Sequence, residues 1–114
     1  MSELQVTARL TIHAGKLDEF RDVAAKCMQS VREKDSGTLQ YDWFFNEDHT
    51  ECVVREKYRD SDAVMEHMGN LGELLGSLMS VSSMDLEVYG SPSAELAEAA
   101  AALAPSVYHH FQSI

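Results

Sequence analysis

From Leu4 to His13 the chain alternates, with Val6, Ala8, Leu10 and Ile12 on one side and Gln5, Thr7, Arg9 and Thr11 on the other. A period of two marks a strand with one buried face. After Gly15 the period lengthens: Leu17, Phe20, Ala24, Cys27 and Val31 recur at three and four, which predicts a helix to about Asp35. Ser36-Gly37 stops it, glycine tolerating the left-handed backbone that closes many helices. Leu39, Tyr41, Trp43 and Phe45 restore the period of two. A polar stretch, Asn46 to Thr50, then leads into Cys52, Val54, Glu56 and Tyr58, so the pair reads as a hairpin.

Asp60-Ser61-Asp62 supplies a cap and first-turn acid for a second helix, with Val64, Met68, Leu71, Leu75 and Leu78 on its apolar stripe. Gly69, Gly72 and Gly76 each weaken that helix by about 1 kcal/mol relative to alanine, which predicts a break near Gly69-Asn70. Met84, Leu86 and Val88 form the inner side of a fourth strand, Met84 to Tyr89. Beyond Gly90 the alanine-rich stretch Ala94 to Ala104 reads as a capped helix with Pro92 in its first turn, closed by Pro105. Val107 to Phe111 reads as a short strand or a loose tail.

Strand, helix, strand, strand, helix, strand is a split βαβ. It predicts an α+β fold, a ferredoxin-like βαββαβ antiparallel sheet with both helices on one face, over residues 1–90. Residues 91–114 form a C-terminal helical extension and tail. Strand parity then assigns the layer beneath the helices: Val6, Ala8, Leu10, Ile12, Leu39, Tyr41, Trp43, Phe45, Cys52, Val54, Tyr58, Met84, Leu86 and Val88. Glu56 shares the parity of Cys52, Val54 and Tyr58, which turns a lone carboxylate inward among aromatic rings. The opposite parity mixes Arg9, Arg55 and Lys57 with Asp42, Asp85 and Glu87. Such a face is either solvated or pairs with its own copy about a twofold axis.

Of 114 residues, 9 are basic and 19 acidic, a formal charge of −10 that opposes phosphate neutralisation, and no Lys/Arg cluster offsets it. Nucleic acid is therefore not an expected partner. No apolar run approaches the roughly 20 residues that span a bilayer, and the first residues do not read as a secretory leader, so membrane association is not expected and a cytoplasmic location is. Cys27 and Cys52 lack metal-ligand spacing and sit in apolar patterns, as small hydrophobes do.

The segment Glu56-Lys57-Tyr58-Arg59-Asp60-Ser61-Asp62-Ala63-Val64-Met65-Glu66-His67 places an acid and an aromatic at a strand end, then a capped helix carrying a histidine. Together with Gly15-Lys16-Leu17-Asp18-Glu19-Phe20 and Gly37-Thr38-Leu39-Gln40-Tyr41, it resembles the antibiotic biosynthesis monooxygenase family over residues 4 to 90. The resemblance implies a dimeric α+β barrel, a homodimer of two ferredoxin-like sheets, with a small-molecule pocket between sheet and helices in each subunit. It also implies a chemistry known in some members, the oxygenation of phenolic or quinol-like aromatics without metal or flavin, so that no cofactor is expected. Other members are isomerases, act on haem or have no established activity. Haem-degrading relatives carry a tryptophan here followed by an axial histidine, whereas this helix has no tryptophan and no histidine beyond His67.

A base for a phenolic proton needs a pKa near the working pH, which burial of a carboxylate or a nearby imidazole provides. Glu56 and His67 are the candidate catalytic residues. Tyr41, Trp43, Tyr58 and Met68 are the candidate substrate-binding residues, the tyrosines orienting oxygen substituents and Trp43 walling the cavity. The bland alternatives are that Glu56 only bonds a tyrosine hydroxyl or a donor on the second helix, that His67 sits half-exposed at the margin of the helix stripe, and that the aromatics are plain core. Two functions follow: a cofactor-independent monooxygenase of a small phenolic or quinol-type metabolite, or a non-catalytic dimeric domain that binds a small hydrophobic ligand or a protein partner.

Overall fold

The computed structural model describes residues 3–114. Its elements run β1 (Leu4–Ile12), α1 (Leu17–Lys34), β2 (Thr38–Phe45), β3 (Glu51–Tyr58), α2 (Ser61–Leu71), α3 (Glu73–Val81), β4 (Ser82–Tyr89), α4 (Ala94–Ala99), a 3₁₀ turn (Ala101–Leu103) and β5 (Ser106–Tyr108). The sheet order is β2-β3-β1-β4-β5. The first four strands are antiparallel throughout, which is the ferredoxin-like order, and β5 adds to β4 in parallel through Val88 and Val107. The tail therefore begins as a strand and makes the sheet mixed and five-stranded. Among the described residues no helix is long and apolar enough to cross a membrane.

Parity holds along most of the sheet. Val6, Ala8, Leu10, Cys52, Val54, Tyr58 and Val88 are all buried on the helix side. They divide into two clusters of buried residues. One gathers Leu4, Val6, Tyr58, Val64 and Val88 with Leu96 and Ala100 of the extension. The other gathers Ala8, Leu10, Phe20, Ala24, Cys52, Val54, Leu78 and Val81. Cys27 and Cys52 are free and buried, and burial pushes both thiols up to about 11.

Several expectations are corrected. Leu39 is not in the inner layer: Thr38 pairs with Tyr58 and Gln40 with Lys57, so the bulge leaves Leu39 as an extra residue, 55% exposed. Phe45 keeps its inward parity against Phe20 but lies at the strand end, 38% exposed beside His49. The second helix breaks at Gly72, where φ is +52°, and not at Gly69-Asn70. Only the former adopts a backbone that L side chains avoid. Pro92 precedes the cap of α4 instead of lying in its first turn. Ser93 is the cap, its Oγ accepting from Leu96 N at 3.1 Å, and the helix tightens to a 3₁₀ turn after Ala99.

Gly37 is also reassigned. Its φ is not positive, so it serves no left-handed helix end. A Cβ built there would lie 2.5 Å from Ala63 Cβ. Glycine is needed because the turn after α1 presses against the first turn of α2, and just before that helix Arg59 N donates to Gly37 O at 2.9 Å. This close approach brings the end of α1 to the site.

Candidate active site

Between the sheet and the helices lies a cavity of about 360 Å³. That is within the usual size range of small-molecule sites, roughly 300–1,000 Å³. The inward side chains of β1 to β4 form its floor, and α2 and α3 form one wall. The extension forms the opposite wall, through Leu96, Ala97, Ala100 and Leu103 among others. Alanines there leave space that larger side chains would fill. The lining is overwhelmingly apolar, and its polar groups gather at one side, on β2, β3 and α2.

All six of the residues singled out from the sequence, Tyr41, Trp43, Glu56, Tyr58, His67 and Met68, line this cavity. Met68 and Met84 line the cavity, whereas Met65 packs against the adjoining core and Met79 is exposed.

Glu56 stands in β3 opposite Val6 of β1 and Tyr41 of β2. It is half-buried, and the Tyr58 hydroxyl donates to its Oε1. Burial pushes its carboxyl up to about 7, against the Tyr58 hydrogen bond, which lowers it, while the negative charge of Asp35 raises it further. The carboxyl is thus poised between acid and base near neutrality. Burial and the nearby Glu56 raise both Tyr41 and Tyr58, so these phenols stay protonated.

His67 departs from the half-exposed expectation. It is 5% exposed, because the tight docking at Gly37 closes the end of α1 over α2. The imidazole rests edge-on to Tyr41 and tilted against Tyr58, with ring centroids 5.1 and 5.3 Å away. Its Nδ1 lies 2.8 Å from Asp35 Oδ2. Burial lowers the His67 pKa, with the Asp35 pair acting in the other direction, and the net position is below that of an ordinary histidine.

Asp35 is the residue that sequence reasoning missed. The sequence marks it only as a helix end, 32 positions before His67. Its carboxylate accepts from Thr38 Oγ1 at 2.6 Å and from Asn70 Nδ2 at 2.8 Å, as well as facing His67. One signal was available: His67 and Asn70 are three apart on one face of α2, a polar pair within an otherwise apolar stripe. Ser36 extends the same seam, donating from its backbone N and its hydroxyl to Glu66 Oε1, both at 3.0 Å. Trp43 stands next to Tyr41, centroids 5.7 Å apart, and its buried Nε1 completes no hydrogen bond among the described residues.

The profile of one family, antibiotic biosynthesis monooxygenase, matches residues 4–71. Among proteins of curated function none matches. Similar solved structures include MupZ from Pseudomonas fluorescens, 22% identical with a TM-score of 0.87, covering 100% of this chain and 94% of MupZ. SnoaB from Streptomyces nogalater, a cofactor-independent oxygenase, is 20% identical with a TM-score of 0.68, covering 82% of this chain and 96% of SnoaB. Rv0793 from Mycobacterium tuberculosis is 21% identical with a TM-score of 0.71, covering 81% of this chain and 97% of its own. These likenesses establish the fold, and the likeness to MupZ extends through the C-terminal extension.

Proposed function

The chain belongs to the antibiotic biosynthesis monooxygenase family, and from that premise we propose that it is a cofactor-independent monooxygenase of a small phenolic or quinol-type molecule. The observation that carries this reading is Glu56, a carboxyl with a pKa of about 7 set in the wall of an apolar cavity beside His67. Glu56 and His67 are the proton-transfer groups. Tyr41 and Tyr58 orient the oxygen substituents, and Trp43 and Met68 hold the carbon skeleton.

Removing the phenolic proton makes the ring electron-rich enough to pass an electron to O₂. Recombination at an open ring carbon, with a proton returned from the protein, gives a hydroperoxide. Loss of water from it leaves a carbonyl. A phenol with two hydrogens to lose and one O₂ thus yields a quinone and one H₂O: the substrate gives up both electron pairs and O₂ accepts them, one of its oxygens ending in the new carbonyl and the other in water. The apolar walls favour this course because they strengthen electrostatics at the polar end and keep bulk water from the intermediate.

The SnoaB likeness supports the oxygenase class, and the family supports a small-molecule substrate. The open sheet face, where Arg9 reaches Glu87 at 3.4 Å and Phe44 is exposed, supports a homodimer, to be checked by sedimentation equilibrium. Oxygen uptake with a panel of phenols and quinols tests the reaction. One O₂ consumed per quinone formed, lost in both Glu56→Gln and His67→Ala, is expected. Binding with no turnover of any of them contradicts the proposal and leaves a ligand-binding domain. Turnover without O₂ consumption contradicts the oxygenase but leaves the acid–base site.

A further inference from the structure

The side chain of Asp35 is 1% exposed and accepts hydrogen bonds from Thr38 and Asn70 while facing His67 Nδ1. Burial alone would push its carboxyl up, but the hydrogen bonds from Thr38, Asn70 and His67 outweigh burial and hold it below the usual carboxylate range. An ionised carboxylate can only accept. The proton of a neutral His67 is therefore on Nδ1, and Nε2, across the ring from Asp35, carries a lone pair. Among the described residues Nε2 has no hydrogen-bond partner, and the ring it belongs to lines the cavity between Tyr41 and Tyr58.

A second polar group in the same wall is unsatisfied in the opposite sense. Trp43 Nε1 can only donate, and among the described residues it completes no hydrogen bond, although its N–H is close enough to the Tyr41 hydroxyl to favour the phenolate slightly. A buried donor without an acceptor is costly, and a ligand oxygen would relieve that cost. Among the described residues no lysine or arginine lines the cavity, while Glu56 contributes a carboxyl to it and Asp35 stands behind His67. An anionic ligand would meet no countercharge there, and burying it unpaired would be costly.

We propose that Asp35 is a positioning residue that holds His67 as its Nδ1–H tautomer, and that the pocket thereby selects an uncharged ligand which donates a hydroxyl to His67 Nε2 and offers an oxygen acceptor to Trp43 Nε1. In this arrangement His67 takes the hydroxyl proton, and Glu56, hydrogen-bonded by Tyr58, is the group that returns one. The assignment rests on the acid–base reading of the site, but its test does not require turnover.

Long-range ¹H–¹⁵N spectra of the imidazoles give the tautomer directly, with His67 identified by its loss in His67→Gln. The wild-type protein at neutral pH should show His67 protonated on Nδ1 and bare on Nε2. Asp35→Asn, whose amide can donate to Nδ1, should shift the population towards Nε2–H. An imidazolium, or Nε2–H in the wild type, overturns the positioning role. So does an unchanged tautomer in the variant. If Asp35→Asn fails to fold, the wild-type tautomer decides alone.

For the ligand class, Trp43 is the single tryptophan, so its indole N–H gives one resonance. 1-Naphthol should move that resonance downfield and bind about tenfold more tightly than 1-methoxynaphthalene, the worth of one neutral hydrogen bond at about 1.4 kcal/mol. 1-Naphthoate should bind worst, and the preference for naphthol over its ether should shrink in Asp35→Asn. Equal binding of naphthol and ether, preference for the carboxylate, or no indole shift with naphthol overturns the ligand assignment. A correct tautomer and ligand order in a protein that consumes no O₂ would refute the oxygenase reaction and leave this inference standing.

Discussion

Replacing Gly37 with alanine puts the new Cβ 2.5 Å from Ala63 Cβ, about 1 Å inside the ordinary carbon–carbon separation of roughly 3.5–4.0 Å. Neither methyl can rotate away, since each is fixed to backbone: one in the turn after α1, the other in the first turn of α2, which Asp60 caps by accepting from Ala63 N at 2.9 Å. Overpacking of this kind costs about 1–3 kcal/mol. The smaller conformational entropy of an unfolded alanine chain offsets about 0.4–1 kcal/mol. Gly37→Ala should therefore destabilise by about 1–2 kcal/mol, lowering Tm by roughly 5–10 °C. Ala63→Gly alone should cost about 1 kcal/mol through helix propensity. The double variant should be no less stable than Ala63→Gly, because one methyl then occupies the space of one, a coupling of about 1–2 kcal/mol. Urea unfolding at constant m-value measures all three. A neutral Gly37→Ala, or additive single effects, would refute the claim that close approach, and not helix termination, requires this glycine.

Two further outcomes follow from the cavity. Glu56 has a folded pKa of about 7 against an ordinary 4.5, so between those values the folded state binds the extra proton and stability falls as pH rises, by up to about 3 kcal/mol once both states are ionised; Glu56→Gln should match the wild type near pH 4 and exceed it at pH 8, and a pH-independent difference in urea midpoints would contradict burial of the charge. Leu96, 3% exposed, anchors the extension to the core shared with Val6 and Tyr58; Leu96→Ala should cost about 2–5 kcal/mol and weaken ligand binding, and proteolysis of residues 91–105 no faster than in the wild type would show that the extension is held elsewhere.

Most of the fold was legible because its signals are local. The switches of period at Lys16, Leu39, Asp60 and Met84 mark the elements, and parity alone turned Glu56 inward beside Tyr58. Parity failed only at Leu39, where a bulge inserts a residue that no periodic pattern announces. The helix break was misplaced because three glycines offer equal propensity cost, and the choice of Gly72 is made by backbone geometry. Asp35 stayed hidden because its partners come from two other elements, Thr38 from β2 and His67 and Asn70 from α2. At the level of sequence it is indistinguishable from a solvated acid at a helix end. The extension was seen as a capped helix, but its place as a cavity wall depends on β5 pairing with β4 and on Ser93 N donating to Ser61 Oγ at 2.9 Å, a tie across 32 residues.

The account depends on one carboxyl facing an apolar cavity instead of water. A ¹³C titration of the glutamate side chains, with Glu56 identified by comparison with Glu56→Gln, measures this directly. A midpoint near 7 is expected, with the Tyr58 ring carbons responding at the same pH. A midpoint near 4.5 would place Glu56 in solvent and remove the proton-transfer group on which the proposed chemistry stands.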